Sequence, residues 1–146
     1  MLSIDTNILF YAMVENSQFH ESARYFLNQH ARDTEMAMSE LVLVELYNLL
    51  RNDKLTGRKT SASEAAQWIQ QIRSNRAWSL IENAPIMEEV WNIAAQAPFA
   101  RRRIFDVRLA LTLHHHGVTH FATANTKDFQ GCGFEKVWNP LKNKNP

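Results

Sequence analysis

Met1-Leu2-Ser3-Ile4-Asp5-Thr6-Asn7-Ile8-Leu9 opens the chain, and its reading decides the fold. Leu2 to Ile4 makes a short apolar strand that runs into a carboxylate, Asp5. Thr6 and Asn7 follow, and a second apolar run begins at Ile8. Open α/β sheets place their ligands outside the carboxyl ends of the strands, which is where Asp5 falls. Thr6 or Asn7 is suited to cap a helix running from Ile8 to Met13.

Further along, strand and helix keep alternating. A helix is expected from about Gln18 to His30, with Phe19, Ala23, Phe26 and Leu27 at helical spacing. Met36-Ala37-Met38 is a second strand, parallel to the first because a helix separates them. Ser39 then caps a helix rich in Leu and Val, from Glu40 to about Asn52. Asp53 to Thr60 reads as a polar loop. Ser61-Ala62-Ser63-Glu64 has capping-box spacing and opens a helix to about Asn75. Trp78 to Ile81 is a third strand, and Pro85 suits the first position of a helix to about Ala97. Pro98 to Arg103 connects to a helix from Ile104 to His116, stopped by Gly117. Val118 to Thr123 is a fourth strand, Asn125 to Phe134 a loop, and Val137-Trp138 an edge strand ended by Pro140. This alternation defines an α/β fold with a mostly parallel central sheet of four to five strands, covered by helices. No linker composition interrupts residues 1–141, which read as one domain; Lys142 to Pro146 read as a polar tail.

The totals agree with one domain of 146 residues. Hydrophobic residues make up 45% and charged residues 21%, a composition that excludes a disordered chain. The formal net charge is +1, so a surface for a polyanion must be local. Cys132 is the only cysteine, which excludes an internal disulfide and suits a reducing cytoplasm. The first residues read as a strand broken by Asp5 instead of a signal peptide. No apolar run approaches the ~20 residues of a membrane span.

Acidic residues recur where apolar ones are expected. In the helix from Glu40, the residues three and four positions from Glu45 are Leu41, Val42, Asn48 and Leu49, so Glu45 is expected on the apolar face. Glu40 itself lies in the first turn, where the helix dipole stabilises a carboxylate, and reads as structural. Asp106 shares its face with Leu109, Ala110 and Leu113, unless it is simply the cap of a helix that starts at Val107. Asn125 and Asp128 follow the fourth strand and emerge at the same sheet edge as Asp5, a pattern also compatible with an Asx-turn. Carboxylates gathered at one edge repel unless a cation neutralises them. Oxygen ligands in small number suit Mg²⁺ or Mn²⁺, and such sites recur in phosphodiester hydrolysis.

The residues that carry this chemistry also carry a resemblance. Asp5-Thr6-Asn7, the stretch SELVLVELYNLL from Ser39, IFDVRLALTLHHHGV from Ile104 and FATANTKDF from Phe121 together resemble the PIN domain family, in its VapC type. The resemblance covers essentially the whole chain, with the four motifs in order. It implies a three-layer α/β/α sandwich and a Mg²⁺- or Mn²⁺-dependent endoribonuclease, the toxin of a bacterial toxin–antitoxin pair. It implies inhibition by a cognate antitoxin protein, and a homodimer. By position, Asp5, Glu45 and Asp106 match the three main acids. Asn125 stands where many members have Asp; some members supply the acid three residues later, here Asp128. Asp5, Glu45, Asp106 and Asp128 are thus the expected catalytic residues, and Asp5, Glu45, Asp106 and Asn125 the expected metal ligands. Thr6, Asn7 and Thr123 are expected to orient Asp5, or a water on the metal, by hydrogen bonds.

Arg101-Arg102-Arg103 precedes the helix of Asp106 and is the expected RNA contact. Arg51, Lys54, Arg58 and Lys59 form a second basic stretch. His114-His115-His116 is no chelate, because consecutive helical residues point about 100° apart. His20-Glu21 fails the zinc-protease pattern because Arg24 occupies the second histidine position. The four tryptophans read as core or interface residues, and the helices between Met13 and His30 and between Ser61 and Asn75 as the walls of a partner groove. Two other activities compete with the nuclease. An aspartate-nucleophile phosphatase also carries an Asp after its first strand, but needs an acid where Asn7 stands. An RNA-binding module with a degenerate metal site would explain Asn125.

Overall fold

The structure, a computed structural model, describes residues 1–142; the expected tail lies, from residue 143 on, outside the described residues. Five short strands pair in parallel throughout: β1 (Leu2–Ile4), β2 (Met36–Ser39), β3 (Ser79–Ile81), β4 (His120–Ala122) and β5 (Lys136–Trp138). Their order is β3-β2-β1-β4-β5. The chain builds outward from β1 to one side, then returns to build on the other. The order therefore reverses between β1 and β4, and the carboxyl ends of those two strands flank the crevice where such sheets bind ligands.

Among the described residues, eight helices cover the sheet in two groups, giving the α/β/α layering. Helices α1 (Thr6–Met13), α2 (His20–Gln29), α3 (Glu40–Leu50), the short α4 (Asp53–Thr56) and α5 (Ala62–Arg73) pack on one another. Helices α6 (Met87–Ala94), α7 (Arg103–His115) and the single-turn α8 (Thr126–Phe129) form the second group. The core lies against the strands, with Ile4, Met36, Met38 and Phe121 meeting Ile8, Val42, Leu43, Leu46 and Leu113 from the helices. Ile86, Val90 and Val107 form a smaller cluster between α6 and α7. Ser3 sits in the middle of the sheet at no cost because its hydroxyl donates to the Ala37 carbonyl at 2.7 Å.

Local chemistry sets most helix ends. Ser39 caps α3 by accepting from Leu41 N–H, and Ser61 caps α5 by accepting from Glu64 N–H. The Glu64 side chain pairs with Arg58. Gly117, at φ +84°, ends α7; its N–H and that of Val118 satisfy the carbonyls of His114 and Leu113. Four expectations are corrected. Asp5 itself caps α1, so Thr6 and Asn7 belong to the helix. The regions Asp53 to Thr60 and Asn125 to Phe134 each contain one helical turn, α4 and α8. Pro85 precedes α6, which begins at Met87 and ends at Ala94. Arg103 belongs to α7 and not to the connector before it.

An open groove of about 360 Å³ runs between α1, α2 and α5, lined by Leu9, Ala12, Leu27, Trp68, Ile72 and Trp78 among others. It lies between the two helical regions expected to wall one. Among the described residues, no helix is long and apolar enough to cross a membrane.

Candidate active site

The register sets up the site. Ile4 pairs with Ala122, so Asp5 and Thr123 lie side by side one residue further on, and the Asp5 N–H donates to the Ala122 carbonyl at 2.9 Å. Asp5 is 8% exposed and Thr123 fully buried. One Asp5 oxygen, Oδ1, accepts from the Thr6 N–H at 2.8 Å. The other accepts from the Thr123 hydroxyl at 2.6 Å and the Asn7 amide at 3.2 Å. Asn7 then closes the loop across the switch point, its Oδ1 accepting from the Ala124 N–H at 3.1 Å. The Thr123 oxygen also accepts from the Asn125 N–H at 3.0 Å. The Thr6 hydroxyl points the other way and donates to Glu45 Oε2 at 2.8 Å. Thr6, Asn7 and Thr123 thus hold acidic side chains, and Asn7 is used up as a structural clasp.

Asp5, Thr6 and Asn7 open onto one cleft of about 700 Å³, walled by α3 on one side and by α7 and α8 on the other, with Thr123 buried behind it. Asp5, Thr6, Asn7, Glu45, Asp106, Asn125 and Asp128 all face it. Segments from four parts of the chain therefore meet there. Glu45 corrects an expectation: the core face of α3 is Val42, Leu43, Leu46 and Leu50, whereas Glu45 is exposed. The apolar neighbours that suggested burial, Leu41 and Leu49, form the cleft wall. Asp106 lies inside the first turn of α7, which begins at Arg103, so it is not the cap of a helix from Val107.

Proximity shows in the acidities. Burial raises the Asp5 carboxyl from 3.8 to about 6, against the pull of the Thr123 and Thr6 hydrogen bonds; the charges of Glu45 and Asp106 raise it further. Asp106 also rises to about 6, first through burial and then through the charges of Asp128 and Glu45, against the Arg103 guanidinium. Neighbouring carboxylate charge thus makes Asp5 and Asp106 harder to ionise, a condition that a cation would relieve. The donors facing the cleft are oxygens, which suit Mg²⁺ or Mn²⁺. Among the described residues, no three His, Cys, Asp or Glu side chains are gathered to enclose an ion on their own. A cation at this cleft would therefore have to keep several waters, as Mg²⁺ does.

The basic run divides. Arg102 lines the cleft, Arg103 lies 5.8 Å over the Phe99 ring, and Arg101 is exposed outside the cleft lining. Arg108, Phe105, Val44 and Asn48 also line the cleft and were not expected there. A signal for the first two existed: Arg102, Phe105, Asp106 and Leu109 fall at helical spacings on one stripe, with Arg108 three residues beyond Phe105. In the second basic stretch, Arg58 is engaged by Glu64 and by the Trp68 ring, and Arg51 by the Tyr47 ring.

A parallel sheet in this order, with acids from β1, α3, α7 and the turn after β4 facing one cleft, defines a class. Residues 2–134 match the PIN domain family, and the chain belongs to it. It is of the VapC type: over 141 residues it is 52% identical to Ribonuclease VapC24 of Mycobacterium tuberculosis, in strains CDC 1551 / Oshkosh and ATCC 25618 / H37Rv, with 97% of each chain covered. Among solved structures, the fold matches VapC20 of M. tuberculosis, described as a Sarcin-Ricin loop cleaving toxin, with a TM-score of 0.69 at 17% identity, covering 92% of this chain and 96% of that one. It also matches FitAcB from Neisseria gonorrhoeae, with a TM-score of 0.63 at 16% identity, covering 97% and 99%.

Proposed function

We propose that residues 1–141 form one PIN domain that acts as a Mg²⁺- or Mn²⁺-dependent endoribonuclease, the toxin of a toxin–antitoxin pair, working in the cytoplasm. The observation that carries this reading is the convergence of four acids from four chain segments on one cleft at the sheet's switch point. The 52% identity to a ribonuclease over nearly the whole length of both chains supports it.

In this reading Asp5, Glu45 and Asp106 would hold the cation, with Asn125 or Asp128 as the further ligand. When bound, it would supply positive charge against the phosphodiester and lower the pKa of water. Asp5 is kept in position by Thr6, Asn7 and Thr123, and Glu45 by Thr6. Thr6 links two of the acids, so the β1 and α3 walls keep a set spacing before substrate arrives. Arg102 and Arg108 bind the phosphates flanking the scissile bond. A cognate antitoxin protein restrains the enzyme, and two copies pair as a homodimer.

The test is cleavage of an RNA panel with Mg²⁺, with Mn²⁺ or with EDTA, alongside Asp5→Asn and Asp106→Asn. Loss of cleavage in EDTA and in both variants is expected. Cleavage by the variants equal to wild type would sink the assignment. Metal-independent RNA binding without turnover would instead make the chain an RNA-binding module. Asn7, committed to Asp5 and Ala124, argues against the phosphatase, which needs an acid there.

A further inference from the structure

Among the described residues, the two most exposed large apolar side chains are Phe105, at 71%, and Val44, at 68%. Both line the acidic cleft, one on α7 and the other on α3. A phenylalanine gains most from removing its ring from water, and a single exposed apolar residue on a surface needs no explanation. Phe105 is different because of its company. It precedes Asp106 in sequence, and Arg102, which caps α7, and Arg108, within it, lie three residues to either side and face the same cleft. An apolar ring between two guanidinium groups, beside a phosphodiester-cleaving cluster, matches the alternation of base and phosphate along a single strand. Proteins that take unpaired RNA commonly stack bases on aromatic rings while arginines track the backbone.

We infer that Phe105 is a stacking platform for an unpaired base next to the scissile phosphate, with Arg102 and Arg108 holding the neighbouring phosphates. This rests on the ribonuclease reading above and assigns the side chain that would grip the strand beside the acidic cluster. A duplex keeps its bases stacked inside and offers Phe105 no face. Val44 closes the opposite side of the cleft and limits how far the base can swing. Phe105 positions the strand and takes no part in proton or metal chemistry.

The test measures affinity for a short labelled single-stranded oligoribonucleotide, and for the same sequence as a duplex, in Ca²⁺. This readout does not need turnover. Phe105→Ala and Phe105→Leu are each expected to weaken single-strand binding by roughly ten-fold. Phe105→Trp is expected to keep or improve it, and duplex binding to stay the same in all variants. In Mg²⁺ or Mn²⁺ the same loss should fall on KM and leave kcat near wild type. Single-strand affinity unchanged in Phe105→Ala would overturn the inference. So would Phe105→Leu matching wild type, since an apolar contact without stacking would then suffice. So would conversion of a dimer to monomers by Phe105→Ala in light scattering with RNA affinity unchanged, because Phe105 would then be a contact between copies. A wild-type protein that binds the strand but never cleaves it would defeat the ribonuclease reading while the base-stacking comparison stands.

Discussion

On the β1–β4 side of the cleft, Asp5 is buried and both of its oxygens are engaged by Thr6, Asn7 and Thr123. On the α7–α8 side, Asp128 and Asn125 are exposed, Asn125 precedes α8 without a side-chain bond to it, and Asp106 is governed by burial and by charge. The first wall is built before anything binds: fixed hydrogen bonds hold its geometry, as preorganised sites require. In the second wall, among the described residues, no hydrogen bond holds the side chains of Asp106, Asn125 or Asp128, which are placed by the backbone of α7 and of the turn into α8. The difference is between a wall whose carboxylate is fixed in place by three neighbours and a wall whose carboxylates carry no such bonds.

The largest expected effect falls on the second wall. Asp106→Asn should lower RNA cleavage by about 10³-fold, with folding intact, because the substitution removes charge from a repelling cluster. Single-turnover rates alongside thermal melting would check both halves of that statement.

The next effect tests the buried wall through pH. The Asp5 carboxyl is raised from 3.8 to about 6 on folding. Between those values the folded protein holds a proton that the unfolded chain has lost, so the stability that Asp5 contributes is fully present below 3.8 and is lost as pH rises to about 6. The decline attributable to Asp5 is about 3 kcal/mol, and the raised Asp106 acts in the same direction. Urea unfolding in EDTA across this range should show it, and Asp5→Asn, which cannot titrate there, should flatten it. Added Mn²⁺ should restore stability at neutral pH and do less at pH 5, where protons compete for the same oxygens.

Smaller effects separate neighbours. Asp128→Asn should cost 10- to 100-fold in activity or metal affinity by the usual scale for groups that support a ligand, and Asn125→Ala less, because only Asp128 adds charge against Asp106. An equal loss in the two would remove the distinction between them. Thr123→Val should cost about 2 kcal/mol of stability, since it strips a donor from a buried carboxylate and an acceptor from the Asn125 N–H. Denaturant midpoints would measure it, and a melting curve identical to wild type would contradict the proposed rigidity of this wall. The smallest effect falls on Arg102→Ala, expected to weaken RNA binding several-fold and to reduce the salt dependence of binding by roughly one phosphate contact. Arg101→Ala, outside the cleft lining, should change neither.

Most of the framework was legible in the residue order because its causes are local. Strands and helices follow from apolar periodicity, and the caps at Ser39 and Ser61 from a hydroxyl placed two or three residues before a free N–H. Asp5 was legible as a carboxylate at a strand end, and Asp106 and Asp128 as acids near the same edge. The family resemblance ties them to one site by motif alone.

Other features depend on residues far apart in the chain. Periodicity shows which helix face is apolar, but not whether that face meets the core or a water-filled cleft. Glu45 was therefore expected to be buried and is exposed, with Leu41 and Leu49 beside it in the cleft wall. The clasp from Asn7 to Ala124 joins residues 117 positions apart, and it exists because the order β3-β2-β1-β4-β5 sets β4 beside β1. The same geometry divides three adjacent arginines, sending Arg102 to the cleft and Arg103 to Phe99. Local chemistry along the chain was enough to name the acids and the elements that carry them. Which wall is rigid, which side chains share the cleft and where the exposed ring of Phe105 stands follow from packing between distant segments, because hydrogen bonds and burial there depend on neighbours that no local pattern encodes.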